Sequence, residues 1–148
     1  EEFAQFSLED IDYFIEAGNL SRFAENFAED ARVSAPIVIW ERTSHRVMTM
    51  SDVTAIKIND VDALLQAGIN PNAVAAELAR VTFEQIFVHG FFHADPHPGN
   101  IFVTPGDSAE SFKLTFIDFG MMGEITDELR QGLQSFIFAL VARNSLTL

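Results

Sequence analysis

Three oxygen-bearing side chains in the second half of the chain have the types and the spacing that a metal-assisted reaction needs. Asp95 and Asn100 are separated by four residues, and Asp118 follows beyond two short apolar runs. Carboxylate and amide oxygens suit Mg²⁺ as ligands, and a further carboxylate can orient an attacking hydroxyl group. The set therefore predicts transfer of a phosphoryl group from a Mg²⁺-bound nucleotide.

The order of these residues matches a known catalytic arrangement. The spacing D-x-x-x-x-N, followed by D-F-G at residues 118–120, is that of protein-kinase catalytic loops. In that arrangement Asp95 is catalytic, whereas Asn100 and Asp118 hold Mg²⁺. His93 lies two residues before Asp95, where a histidine braces the loop. The pattern predicts kinase-like chemistry with ATP and Mg²⁺ as cofactors.

Two other interpretations of the loop remain open. His93, Asp95 and His97 could ligate a transition metal, although Pro96 and Pro98 stiffen the loop and no further His or Cys cluster supports such a site. The segment could also be a tight polar loop without a catalytic role.

The hydrophobic pattern indicates an α+β domain. Apolar residues at helical spacing predict an amphipathic helix from Leu8 to about Phe27, with Ser7 as its cap and acidic residues in its first turns. Two apolar runs, 37–41 and 46–50, predict an antiparallel pair of strands.

A second predicted hairpin positions the chemistry. The runs N-I-F-V and K-L-T-F-I are separated by a segment containing Pro-Gly, so they predict two strands joined by a turn. Because the open ends of a hairpin meet, Asn100 and Asp118 are expected to lie together. The other elements are helices, predicted at 60–67, from Asn70 to about Val88 and from Thr126 onward.

Composition excludes several classes of function. The net charge of −13 opposes loose binding to nucleic acid or to anionic lipid headgroups. The chain has no cysteine, which fits a reducing compartment. The apolar run at 136–142 is shorter than the ~20 residues that a membrane-spanning helix needs. We therefore expect neither a nucleic-acid partner nor a transmembrane segment.

Longer segments resemble a known family. "GFFHADPHPGNIFV" (90–103) and "FIDFG" (116–120) strongly resemble the UbiB-like atypical kinases, the ubiquinone-biosynthesis kinase-like proteins. "IDYFIEAGNLSRFAENF" (11–27) and "VIWERTSHRVMTM" (38–50) do so too. Ordinary protein kinases have H-R-D in this loop, and aminoglycoside-phosphotransferase-like enzymes have H-G-D-L-H-P-G-N.

The resemblance implies a role for the acidic helix. The matching helix of kinases carries a carboxylate that pairs with the lysine gripping the α- and β-phosphates. The family shows Glu-x-Asp and a further glutamate there. Asp12 and Glu16 set the register, and Asp10 then stands where glutamate is expected. A solvated acid at a helix start is the other interpretation of Asp10.

The resemblance also assigns a nucleotide-facing segment. The family tends to have Met-Glu where this chain has Met50-Ser51, and this segment should join the two lobes and face adenine. The only lysines, Lys57 and Lys113, both follow the acidic helix, whereas the phosphate-gripping lysine of a kinase precedes it. We therefore expect a fragment that begins inside the small lobe and lacks the nucleotide loop.

These expectations combine into one architecture. We predict an α+β, protein-kinase-like fold with a partial small lobe at 1–50 and an incomplete, mostly helical large lobe at 51–148. The intact parent would be an atypical kinase or ATPase. The fragment alone would be inactive and poorly stable, because a sheet that lacks strands exposes apolar edges.

The resemblance further implies a setting for the parent protein. It would serve isoprenoid-quinone lipid metabolism, with nucleotide, quinone-lipid precursors or a membrane-associated biosynthetic complex as partners. It would be cytoplasmic and peripheral to a membrane through segments outside this chain. Two alternatives remain open: a small-molecule kinase of the aminoglycoside-phosphotransferase type, and a catalytically silent module that binds nucleotide or lipid.

Overall fold

A computed structural model describes residues 12–108 and 111–145, apart from the side chains of 141 and 143–145. Within these described residues, four α-helices and six strands form the frame. The helices are α1 (Tyr13–Asn26), α2 (Val61–Gln66), α3 (Pro71–Glu84) and α4 (Asp127–Ser145). The strands are β1 (Val33–Ser34), β2 (Ile56–Lys57), β3 (Phe91–His93), β4 (Ile101–Pro105), β5 (Phe112–Phe116) and β6 (Met122–Glu124).

Helix α1 begins later than the sequence pattern predicts. Asp12 has an extended backbone, and its carboxylate accepts a hydrogen bond from the N–H of Phe14, so it caps the helix. The prediction of a continuous helix from Leu8 is therefore wrong at Asp12. The predicted cap, Ser7, lies outside the described residues. Three side chains of α1 are buried in the core, namely Ala17, Leu20 and Phe23.

A four-stranded sheet in the order β1-β5-β4-β2 supports the site. Strands β4 and β5 form the predicted antiparallel hairpin, in register from Ile101 opposite Phe116 to Pro105 opposite Phe112. Strand β1 runs parallel to β5, and β2 runs antiparallel to β4. The hairpin buries Ile101, Val103, Leu114 and Phe116 in the core. This burial fixes the two chain segments that leave its open end.

A two-stranded ribbon holds the other side of the site. Strands β3 and β6 pair antiparallel, with His93 opposite Met122. The pairing continues one residue beyond β3, where the N–H of Ala94 donates to the carbonyl of Met121 at 2.9 Å. The ribbon therefore draws the loop after β3 towards the segment before β6.

Helix α3 ends earlier than predicted. Asn70 caps it and Pro71 is its first residue, as the sequence indicates. A π-helical turn, Gln85–His89, replaces the predicted last turn, and Gly90 ends it with a left-handed backbone at φ 62°. Gln85 is buried in this turn. π-Helical turns often occur near functional sites, and this one leads directly into β3.

The predicted strand pair at 37–41 and 46–50 is only partly regular. The pairing is antiparallel as expected, since the N–H of Ile39 donates to the carbonyl of Thr49 at 2.8 Å. Isolated bridges replace long strands, and residues 40–42 form a short 3₁₀ turn. Threonine side chains compete for the backbone here: Thr43 Oγ1 donates to the Ile39 carbonyl and Thr49 Oγ1 to the Arg42 carbonyl.

Helix α4 packs on the π-helical turn through polar contacts. The helix begins at Asp127, one residue after the predicted start, and the preceding Thr126 accepts a hydrogen bond from the N–H of Leu129. Gln134 donates to the carbonyl of Phe87 at 2.9 Å. Several apolar side chains of α4 are more than half exposed, including Leu129, Phe136 and Leu140. Among the residues that the structure describes, no helix combines the length and the apolarity needed to cross a bilayer.

Candidate active site

The loop after β3 is shaped by its two histidines. The ring of His93 accepts a hydrogen bond from the N–H of Asp95 at 3.2 Å. The ring of His97 accepts one from the N–H of Gly99 at 3.0 Å, and its carbonyl accepts one from the N–H of Asn100. Residues 98–100 then form a 3₁₀ turn that leads into β4. The loop is therefore held by its own side chains, with Asn100 at its end.

Asn100 and Asp118 meet at the open end of the β4–β5 hairpin. The Nδ2 of Asn100 donates to the Oδ2 of Asp118 at 2.7 Å, as the predicted hairpin required. The other carboxylate oxygen, Oδ1, accepts from the N–H of Gly120 at 3.1 Å. The backbone also closes here, because the N–H of Ile117 donates to the carbonyl of Asn100. Both oxygens of Asp118 are thus oriented by the protein.

His93 connects the loop to the D-F-G segment. Its Nε2 donates to the backbone carbonyl of Asp118, and its own N–H donates to the side-chain oxygen of Gln85 at 2.8 Å. With Nε2 as donor and Nδ1 as acceptor, these bonds select one tautomer of the ring. His93 is 8% exposed. The geometry is that of a bracing residue, and His93 remains only a predicted member of the catalytic set.

Asp95 lies on the exposed part of the same loop. Its backbone is fixed on both sides, because its N–H is bound by His93 and its carbonyl accepts from the N–H of His97 at 2.7 Å. The catalytic role of Asp95 remains a prediction. The structure shows that two hydrogen bonds hold the backbone of this residue and that its position is exposed.

Helix α1 contacts the backbone of the D-F-G segment. Glu16 accepts a hydrogen bond from the N–H of Phe119 at 3.2 Å, and Asn19 donates to the carbonyl of Phe119 at 3.0 Å. Partial burial raises the pKa of Glu16, and the nearby charge of Asp118 raises it further, while the bond from Phe119 opposes both effects. Glu16 therefore contributes negative charge next to Asp118 at the cost of its own desolvation.

The raised pKa of Glu16 can be tested by measuring how stability changes when the charge is removed. A carboxyl group whose pKa is higher in the folded state stabilises the fold below its unfolded pKa of about 4.3, and this contribution is lost as the pH rises through the folded pKa. Glutamine keeps the oxygen that accepts from Phe119 and removes the charge. We expect Glu16→Gln to increase the free energy of unfolding at pH 7 by less than about 1 kcal/mol, since the side chain is partly screened by solvent.

The pH dependence of the unfolding free energy distinguishes an effect of the Glu16 charge from a general effect of the substitution. Urea denaturation of wild type and Glu16→Gln at pH 7 and pH 4 should show the difference shrinking at the lower pH. Glu25→Gln, an exposed position on the same helix, is the matched control and should change little at either pH. A Glu16→Gln protein that is less stable than wild type at pH 7 would contradict the assignment.

A cavity of about 650 Å³ opens between the start of α1 and the D-F-G segment. Its wall combines carboxylates with apolar groups. The lining residues are Asp12, Tyr13, Ile15, Glu16, Asp118, Gly120 and Met121. The cavity therefore adjoins Asp118 directly and is large enough for a small polar ligand.

The residues predicted to bind cofactor are only partly brought together. Glu16 and Asp12 line the cavity, but the carboxylate of Asp12 also caps α1 and bonds to the ring of His45 at 2.8 Å. The hydrogen bond from His45 lowers the pKa of Asp12. Asp10 lies outside the described residues. Asp12 thus serves the helix start, which the sequence did not indicate.

Met50 and Ser51 belong to the neighbouring antiparallel segment. Met50 bridges Val38, and the Ser51 hydroxyl accepts a hydrogen bond from the N–H of Ile37 at 2.9 Å. Neither residue lines the cavity beside Asp118. Their predicted contact with adenine therefore stays a prediction.

The transition-metal interpretation of the loop is not supported by the geometry. Both ring nitrogens of His93 face protein groups, namely the carbonyl of Asp118 and the N–H of Asp95. Among residues 12–108 and 111–145, no three His, Asp or Glu side chains converge in a way that could hold a metal ion by themselves. His93, Asp95 and His97 therefore do not form a ligand cluster.

Two residues that hold the site, Gln85 and Asn19, were not predicted from the sequence. Gln85 gave no signal, because a glutamine near the end of a helix is ordinarily solvent-exposed. Asn19 is three residues after Glu16, which places both on one face of a helix. That spacing could have indicated a shared partner.

Comparison with known proteins now decides the family. Residues 1–148 match the ABC1 atypical kinase-like domain. The chain belongs to the ABC1 atypical kinase-like family. The match confirms the resemblance to UbiB-like atypical kinases that the sequence of residues 90–103 and 116–120 indicated.

Relatives in this family occur in plants and bacteria. The chain is 41% identical over 144 residues to Protein ACTIVITY OF BC1 COMPLEX KINASE 8, chloroplastic, of Arabidopsis thaliana, covering 97% of this chain and 18% of that protein. It is 35% identical over 136 residues to the probable protein kinase UbiB of Marinobacter nauticus, covering 92% and 25% respectively. The chain therefore spans a quarter or less of these two ABC1 relatives.

Solved structures confirm the kinase-like α+β fold. The Rv3197–erythromycin complex from Mycobacterium tuberculosis matches with a TM-score of 0.63 and 23% identity, over 83% of this chain and 29% of that one. The Rio2 kinase–ADP/Mg²⁺–phosphoaspartate complex from Chaetomium thermophilum matches with a TM-score of 0.53 and 22% identity, over 74% and 31%. The boundary predicted between lobes near residue 50 stays a prediction.

Proposed function

We propose that this chain carries the metal-binding and phosphate-transfer residues of an ABC1-family kinase or ATPase that uses Mg-ATP. The observation that carries the proposal is the 2.7 Å contact between Asn100 and Asp118, which the β4–β5 hairpin enforces. In this assignment Asp118 and Asn100 bind Mg²⁺, and Asp95 orients the attacking hydroxyl group or water. The Rio2 kinase complex, which has the same fold, contains ADP and Mg²⁺.

The residues present suit a magnesium ion better than a resident transition metal. Mg²⁺ is usually held by one or two protein oxygens, together with substrate phosphates and water. The Asn100–Asp118 pair offers this number of ligands, which is consistent with the lack of a larger cluster among the described residues. The bound ion would neutralise the negative charge that phosphates bring next to Asp118 and Glu16.

This chain's own residues would prepare the site for that charge. Gly120 and Asn100 fix the two oxygens of Asp118, so the carboxylate is oriented before a ligand arrives. His93 fixes the peptide between Asp118 and Phe119, and it also fixes the backbone of Asp95. Such preorganisation lowers the cost of orienting groups during the reaction.

The wider role that we propose is service to isoprenoid-quinone lipid metabolism. Its support is the resemblance of residues 11–27 and 90–103 to UbiB-like proteins, together with membership of the ABC1 family. In this proposal the whole protein is cytoplasmic, acts beside a membrane, and meets quinone-lipid precursors or a biosynthetic complex there. The negative charge of the chain makes nucleic acid an unfavourable partner.

The catalytic aspartate is the direct test of the proposal. We expect Asp95→Asn in the full-length protein to lower the turnover of ATP by about 100-fold, because a group that orients or accepts a proton from the attacking oxygen contributes at least this much in typical enzymes. Mg-ATP binding should change little, since Asp95 is not a proposed metal ligand. Phosphate release and binding of a fluorescent ATP analogue measure the two properties.

Asp60→Asn is the matched control for this variant. Asp60 is exposed and caps α2 by accepting from the N–H of Ala63, a role that asparagine fills equally well. Its turnover should equal that of wild type. Unchanged turnover in Asp95→Asn would refute the catalytic assignment, whereas nucleotide binding without any turnover in wild type would favour the silent regulatory module.

A further inference from the structure

Helix α1 presents a row of polar side chains to the D-F-G segment. Glu16, Asn19 and Arg22 are spaced by three residues, so they lie on one face of the helix. Glu16 and Asn19 bind the two backbone groups of Phe119. Arg22 forms an ion pair with Glu124. The row therefore follows the chain from Phe119 to the end of β6.

Two successive peptide groups are each held on both sides. The first joins Asp118 to Phe119: its carbonyl accepts from His93, and its N–H donates to Glu16. The second joins Phe119 to Gly120: its carbonyl accepts from Asn19 at 3.0 Å, and its N–H donates to Asp118 Oδ1 at 3.1 Å. Asn19 and the Asp118 carboxylate thus grip opposite edges of one peptide plane.

Rotation of that second peptide would change the carboxylate. A peptide group is planar, so its C=O and N–H turn together. If the carbonyl of Phe119 left Asn19, the N–H of Gly120 would turn away from Asp118 Oδ1. The carboxylate would then lose one of the two contacts that orient it, the other being the contact with Asn100.

The side chain at position 19 must be a donor for this arrangement. Asn19 is half-buried, and its Nδ2 is the atom that faces the carbonyl oxygen. A carboxylate in the same place would set two oxygens against each other in a partly desolvated position, which is unfavourable. The ring of Phe119 is buried, and its centroid lies 5.1 Å from that of Phe23 on α1. This packing keeps Phe119 close to the helix.

We propose that Asn19 is a positioning residue for Mg²⁺ binding, acting on Asp118 through the Phe119–Gly120 peptide. This inference rests on the proposed role of Asp118 as a metal ligand. It assigns a distinct task to α1: the position of the helix sets the orientation of the metal-binding carboxylate. A movement of α1 would accordingly change the affinity for the metal without touching the metal ligands.

Metal affinity in the full-length protein tests the inference. Mn²⁺ serves as the probe, and free Mn²⁺ is measured by electron paramagnetic resonance in the presence of a non-hydrolysable ATP analogue. We expect Asn19→Ala to weaken Mn²⁺ binding by about 10-fold, the usual effect of removing a group that orients a metal ligand, and Asn19→Asp to weaken it more. Binding of the analogue without metal should stay within about twofold of wild type, since Asn19 touches only the Phe119 backbone.

Asn72→Ala is the matched control, because Asn72 is an exposed asparagine on α3, a different helix from the one that binds the D-F-G segment. It should bind Mn²⁺ as wild type does. Wild-type affinity in both Asn19 variants would overturn the inference while leaving the proposed function intact. If the Asn19 variants bound the metal-free analogue as weakly as they bound Mn²⁺, and also melted at a lower temperature, the inference would be overturned too. That result would show a general structural role for Asn19. A wild-type protein that binds no Mn²⁺ with the analogue would instead refute the proposed function.

Discussion

Replacing Asp118 by asparagine should reduce the ATP turnover of the full-length protein by about 1,000-fold or more. Asparagine keeps the shape of the side chain and can still accept from the N–H of Gly120. Its Nδ2 can donate to the Asn100 oxygen once the Asn100 amide turns by 180°, so the fold should be preserved. It removes the negative charge that would hold Mg²⁺ beside the phosphates. Charge stabilisation by a metal ion is worth several kcal/mol in the transition state, and each 1.4 kcal/mol is about a factor of ten in rate.

Three measurements make this prediction specific. Phosphate release gives the rate, titration with Mg²⁺ gives the metal dependence, and a thermal melt tests the fold. Raising the Mg²⁺ concentration should restore part of the lost rate if the defect is in metal binding. Asp60→Asn again serves as the control with unchanged activity. Undiminished turnover in Asp118→Asn would remove the basis of the proposed magnesium site.

Replacing Phe23 by alanine should cause the largest loss of stability. Phe23 is fully buried at the centre of an aromatic cluster, with ring centroids 4.8 Å from Phe27, 5.2 Å from Phe116 and 5.1 Å from Phe119. Truncation of a buried phenylalanine leaves a cavity and costs about 3–5 kcal/mol of unfolding free energy. Urea denaturation followed by circular dichroism measures this change.

Phe138→Ala is the matched control, because the side chain of Phe138 is 74% exposed on α4. Its unfolding free energy should stay within about 0.5 kcal/mol of wild type. Phe23→Leu should fall between the two, since leucine fills part of the space. If Phe23→Ala and Phe138→Ala lost the same stability, the aromatic cluster would not be the centre of the core.

The cluster also explains why the core and the site are one unit. Phe116 ends β5, Phe119 belongs to the D-F-G segment, and Phe23 belongs to α1. The rings of Phe116 and Phe119 both pack on the ring of Phe23. Phe116 lies two residues before Asp118, and Phe119 lies one residue after it. Packing of the core therefore sets the position of the carboxylate.

Local sequence patterns predicted the secondary structure correctly where no side chain competed for the backbone hydrogen bonds. The β4–β5 hairpin followed from two apolar runs around a turn, and the start of α3 followed from Asn70-Pro71. The pair at 37–50 was less regular than its pattern, because Thr43 and Thr49 bind the backbone that strands would otherwise share. The start of α1 was misplaced because Asp12 has an extended backbone and its carboxylate caps a helix that begins at Tyr13.

The sequence by itself determined the identity of the chemical groups and the hairpin that unites Asn100 with Asp118. Short-range spacing and turn chemistry encode both, so they can be read without coordinates. Only the tertiary structure decided that Glu16, Asn19 and His93 converge on the backbone of Asp118 and Phe119, and that Gln85 holds the backbone of His93. These contacts join residues up to 103 positions apart, and the packing of Phe23 against Phe119, rather than any local pattern, brings them together.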